Sequence, residues 1–121
     1  MTKRAIAEVT LDGTPSDVSN VIEQIMWASR IKVKNVRFTE QPVTYYLYGE
    51  HSVSFRSWGE KVKITITAFN GGSKVNAESV AKLETTLFDY GQNKENLEIL
   101  MHQLILKFSP TSSLVIKEAT F

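Results

Sequence analysis

Lys61-Val62-Lys63-Ile64-Thr65-Ile66-Thr67-Ala68-Phe69 leads straight into Asn70-Gly71-Gly72-Ser73 and then into the run from Lys74 to Leu83. In the first run Val62, Ile64, Ile66 and Ala68 fall on one side and Lys61, Lys63, Thr65 and Thr67 on the other. That is the period of a strand with one buried and one wet face. Asparagine and glycine accept the positive φ of a tight hairpin turn, so Lys74 to Leu83 is expected to return as the antiparallel partner. A sheet with one polar face needs cover on its other side only. The rest of the chain must supply that cover.

Upstream, Ala5, Ala7, Val9 and Leu11 alternate with Ile6, Glu8 and Thr10, which reads as a strand ending at the turn Asp12-Gly13. Thr14-Pro15-Ser16-Asp17 reads as a helix start, with Thr14 as N-cap and Pro15 at the first helical position. Val18, Val21, Ile22, Ile25 and Met26 then recur at helical spacing and give that helix one apolar stripe. Ile31 to Thr39 reads as a strand rich in β-branched and basic residues. Val43 to Tyr48 and Ser52 to Arg56 read as one bent strand interrupted near Gly49. Downstream, Asp89-Tyr90-Gly91-Gln92 has the form of a capping box. Leu97, Leu100, Met101, Leu104, Ile105 and Phe108 form a second helical stripe, which Pro110 ends. The tail 110–121 reads as a short strand or a docked arm behind a single α+β domain of residues 1–109. The expected fold is therefore a five-stranded antiparallel sheet, β-α-β-β-β-β-α, with both helices on one face.

A length of 121 residues suits one domain able to bury a core. With 42% hydrophobic and 22% charged residues the composition is globular, and a net charge of +1 gives no overall polyanion-binding signature. The absence of cysteine excludes disulfides, thiolate metal sites and cysteine nucleophiles. Met1 to Val9 holds no apolar leader core, and no stretch approaches the roughly 18–20 apolar residues of a membrane span. The expectation is a cytoplasmic protein without membrane insertion.

Two glycine-aromatic corners stand out, Ser57-Trp58-Gly59-Glu60 and Leu87-Phe88-Asp89-Tyr90-Gly91-Gln92-Asn93. Together they resemble the motifs of a group of small bacterial domains with a Ser-Trp-Gly-Glu turn and a Leu-Phe-Asp-Trp/Tyr-Gly-Lys-Asn segment before a final helix. The resemblance spans Ala5 to Phe108 and implies family membership without naming an activity. Tyr90 and Gln92 stand where that pattern has tryptophan and lysine, so the second corner lacks a cation. The element order is also similar to the half-unit of the TATA-binding protein and to the helix-grip fold of apolar-ligand carriers, by fold analogy only.

Each corner has a structural and a functional reading. Trp58 closing the sheet end, Gly59 making a turn and Asp89 capping a helix need no ligand. Alternatively Trp58 and Tyr90 line a pocket mouth with Glu60 and Asn93 as polar handles. Tyr46 and Tyr48 share a side of their strand and are candidates for ligand or partner contact, or for plain cross-strand packing. Arg30, Lys32, Lys34 and Arg37 form a basic stretch that Lys61 and Lys63 could join. Glu40, Glu50 and Glu60 dilute it, so nucleic acid is not expected as a partner.

His51 and His102 are the only histidines and lack a third ligand at metal-binding spacing. Asn70-Gly71-Gly72-Ser73 leads into a strand and is no phosphate loop, and no nucleophile elbow is present. No catalytic residue, cofactor or metal is expected. The sequence points to a non-enzymatic binding or interaction domain that contacts a protein partner or a second copy of itself. The alternative is binding of a small apolar or lipid ligand between the sheet and the C-terminal helix.

Overall fold

The alternation of Lys61 to Phe69 is realised in β4 (Glu60–Phe69), hydrogen-bonded to β5 (Gly72–Ala81) across a turn with Asn70 at φ 47° and Gly71 at φ 79°. The computed structural model describes residues 3–51, 60–81 and 92–120. Its other elements are β1 (Lys3–Leu11), α1 (Pro15–Ala28), β2 (Ile31–Glu40), β3 (Val43–His51), α2 (Gln92–Lys107) and β6 (Val115–Thr120). The strands form one sheet in the order β2-β3-β4-β5-β1-β6, with every neighbouring pair antiparallel.

The expectation of five strands is corrected to six. Val115–Thr120 pairs with β1 from Glu8↔Val115 to Lys3↔Thr120. Without it β1 would be an edge strand carrying unpaired backbone groups, so the pairing satisfies that edge within the chain. The connection is fixed as well. Asp12 N donates to Ser109 O at 3.0 Å, Ser109 N to Asp12 Oδ1 at 3.0 Å, and Thr111 N to Thr10 O at 2.8 Å. The tail's apolar residues therefore serve this sheet, not a neighbour's. Gly49 also lies inside β3 and does not interrupt it; residues 52–59, the expected second half of that strand, lie outside the described residues.

Both helices lie on one side of the sheet. α1 packs chiefly on β2, β3 and β4, and α2 on β1 and β5. The strands under α2 carry small side chains, Ala5, Ala7, Ala77 and Ser79, as well as Val9, Leu11 and Val75, and Leu97, Leu100, Met101 and Leu104 of the helix are buried. Under α1 the sheet offers Leu47, Val62, Ile64 and Ile66 against Val18, Ile22, Ile25 and Met26. Both layers join in one interior, as close packing demands. α1 begins as its sequence requires, with Asp17 N donating to Thr14 Oγ1 at 3.2 Å. Thr14→Ala is expected to cost about 1 kcal/mol, measured by chemical denaturation, with no change in the slope. Among the described residues, no helix is long and apolar enough to cross a membrane.

Candidate functional site

One irregularity determines what the uncovered face carries. The β2–β3 register shifts between Val33 and Asn35, a β-bulge. Before it, Lys32 stands opposite Glu50; after it, Asn35 stands opposite Tyr48 and Arg37 opposite Tyr46. Cross-strand partners share a face and successive residues alternate, so a regular strand would split Lys32 from Arg37. The bulge instead puts Lys32, Asn35 and Arg37 on the face away from the helices. The same shift sets Glu40 opposite Val43, on the side of Tyr45 and Leu47. Glu40, expected to dilute the basic stretch, therefore leaves it.

The outer face is laid out in rows across the strands. Arg37, Tyr46, Thr65 and Asn76 form one row; Asn35, Tyr48, Lys63 and Glu78 form the next; Lys32, Glu50 and Lys61 form a third. Arg37, Tyr46, Tyr48, Lys63 and Thr65 line a shallow open depression of about 350 Å³. A second, of about 300 Å³, continues over β5 and β1, and Lys63 and Thr65 line both. The Arg37 guanidinium lies over the Tyr46 ring, 4.8 Å from its centroid. This stacking holds a long cation flat against the sheet.

Charge is distributed unevenly over this face. Towards β1, Glu78 is paired with Arg4 at 3.3 Å and Glu8 with Lys74 at 3.0 Å. Over β2, β3 and β4, Lys32, Arg37, Lys61 and Lys63 have no ion-pair partner among the described residues, and Glu50 accepts a hydrogen bond from the Tyr48 hydroxyl at 3.1 Å. That half of the face is electropositive.

The Tyr48 phenol is raised above its ordinary value, first by burial and then by the hydrogen bond to Glu50 and its negative charge. The folded state thus holds this proton more tightly than the unfolded chain. The resulting stabilisation is complete below the unfolded value near 10 and is lost as pH climbs through the folded one. Glu50→Gln is expected to lower the Tyr48 midpoint, followed by NMR of its Cζ carbon. An unmoved midpoint would show that the carboxylate plays no part.

Of the residues singled out in the sequence, Tyr46 and Tyr48 are brought together on this face. Glu60 opens β4 and Asn93 lies in the first turn of α2, but their side chains are not described. Trp58 and Tyr90 lie outside the described residues, as does the pocket mouth expected between them. His102 is exposed on α2, and among the described residues no group of three or more His, Cys, Asp or Glu could hold a metal. Arg37 and Asn35 were legible only through the bulge. Its trace in the sequence is the slip of the apolar positions from Ile31 and Val33 to Val36 and Phe38.

No protein-family model and no curated protein matches the chain. Among solved structures, the crystal structure of Ara h 8.0201 is similar over 88% of this chain and 99% of that one, with 11% identity and a TM-score of 0.45. Likeness at that level carries no argument about function, and the fold rests on the strand order and registers above.

Proposed function

We propose that this chain is a non-enzymatic binding or interaction domain whose contact surface is the outer sheet face over β2, β3 and β4. The observation that carries the reading is the set of cations without ion-pair partners among the described residues, Arg37 and Lys63 foremost, flanking Tyr46 and Tyr48 on a face that neither α1 nor α2 covers. Aromatic and arginine side chains are the groups that supply most contact energy at interfaces. The depression is shallow and open, which suits contact with a surface or chain more than enclosure of a substrate. Its preferred partner is anionic, because the four cations on this half-sheet outnumber Glu50, the carboxylate that stands between Lys32 and Lys61 in the third row.

Position-specific photo-crosslinking in producing cells tests this. A photoreactive phenylalanine at position 46 should give partner adducts, and one at position 103, exposed on α2, should not. Adducts from 103 alone would transfer the contact surface to the helices.

A separate observation favours self-association. On the helix side, beyond α1, the edge strand β2 exposes Val36 and Phe38 (45% and 47%) beside Val43. Phe38 is tilted against Tyr45 with ring centroids 4.8 Å apart. An apolar edge of this kind can pair with a second copy. Phe38→Lys should reduce any dimer seen by light scattering, and an unchanged dimer would exclude this edge. Binding of an apolar ligand between the sheet and α2 remains the alternative function. Leu97, Leu100, Met101 and Leu104 occupy that layer, so such a ligand would have to displace them.

A further inference from the structure

We infer that the anionic partner of the outer face is single-stranded nucleic acid, an inference that rests on the contact-face reading above. Its phosphates would lie along Lys32, Arg37, Lys61 and Lys63, and its bases against Tyr46 and Tyr48.

Three features distinguish this partner from other anions. The first is the alternation of flat rings and cations. Tyr46 with Arg37 and Tyr48 with Lys63 occupy adjacent rows, so each row offers one ring and one positive group. Bases stack on tyrosine rings and on guanidinium planes, and the Arg37–Tyr46 stack combines both. A peptide of acidic residues alone, such as poly-glutamate, would satisfy the cations and leave the rings unused. The second is shape. The two depressions are open and share Lys63 and Thr65, which makes a track across the strands for a chain-like ligand. The third is the fate of the acids. Glu40 is carried to the other face by the bulge, Glu8 and Glu78 are paired, and Glu50, which accepts from the Tyr48 hydroxyl, stands between Lys32 and Lys61 and offsets part of their charge. The patch keeps an excess of positive charge in the folded chain, with Lys32, Arg37, Lys61 and Lys63 against Glu50. Asn35, Thr65 and Asn76 add amide and hydroxyl groups that can meet base edges.

Fluorescence anisotropy with labelled dT15 and rU15, a duplex of equal length and poly-glutamate tests the inference. The wild-type chain should bind the single strands at low salt. The plot of log affinity against log salt should have a slope of about −2 to −3 if all four cations meet phosphates. Arg37→Ala and Lys63→Ala should each flatten that slope by about 0.7. Tyr46→Ala should weaken binding about 5- to 150-fold, and Tyr46→Phe should restore it, because the ring and not the hydroxyl stacks. Lys107→Ala on α2 should change nothing. Thermal unfolding of each variant separates loss of contact from loss of fold. Any of three results overturns the inference: no retention of dT15 or rU15 at low ionic strength, equal weakening by Lys107→Ala and Arg37→Ala, or tighter binding of the duplex or of poly-glutamate. If these fail while position 46 still crosslinks a partner in cells, the contact face stands and only the nucleic acid is excluded.

Discussion

Leu104→Ala is expected to lower the unfolding free energy by about 2–5 kcal/mol, read as a lower denaturation midpoint at unchanged slope. Leu104 is 0% exposed near the end of α2 and belongs to the single cluster that joins both helices to the sheet. The buried side chains of that cluster are close-packed, so the space left behind is only partly refilled. The cavity therefore persists, and its cost adds to the lost burial. Two residues on, Leu106 is 85% exposed, so Leu106→Ala should stay within about 0.5 kcal/mol. Equal effects from the two leucines would mean that α2 does not pack on the sheet as described.

Gly72→Ala should be the next most damaging change, at about 1–3 kcal/mol or somewhat more. A Cβ at this position would run into the Leu11 carbonyl oxygen and stand 3.2 Å from Asp12 Cα. Both atoms are backbone, in a stretch held by the Leu11↔Ser73 pairing and by the hydrogen bond from Ser73 Oγ to Gly13 O at 2.7 Å. Neither can swing aside. The adjacent Gly71 has open space around it but a φ of 79°, so what it needs is a residue tolerant of that conformation. Gly71→Asn should accordingly be mild, since asparagine enters the left-handed region more readily than other residues. Comparing the midpoints of the two variants separates steric exclusion from backbone conformation within one turn.

The sequence made most of the fold readable because its signals are local. The alternation of Lys61 to Phe69, the Asn70-Gly71 turn, the Thr14 cap and the stripe from Leu97 to Leu104 each arise from neighbouring residues, and each appears in the structure. Two features were less readable because they depend on distant partners. Val115–Thr120 becomes a strand through its pairing with β1, more than a hundred positions away, while Lys117 and Glu118 interrupt its apolar pattern. The bulge in β2 has a trace in the slipped apolar positions, but its consequence requires the β3 register. Only there does it appear that Arg37 joins Tyr46 while Glu40 departs. Tyr46 and Tyr48 could be assigned to one face from alternation, whereas the face itself required the positions of both helices.

Lysine acetylation footprinting, comparing the purified protein with the protein in a fresh cell extract, tests the contact face most directly. Lys32, Lys61 and Lys63 should react freely in the purified chain and lose reactivity in the extract, while Lys107 on α2 stays equally reactive in both. Protection of Lys107 with continued reactivity at Lys61 and Lys63 would contradict the account, because the partner would then be seated on the helical side.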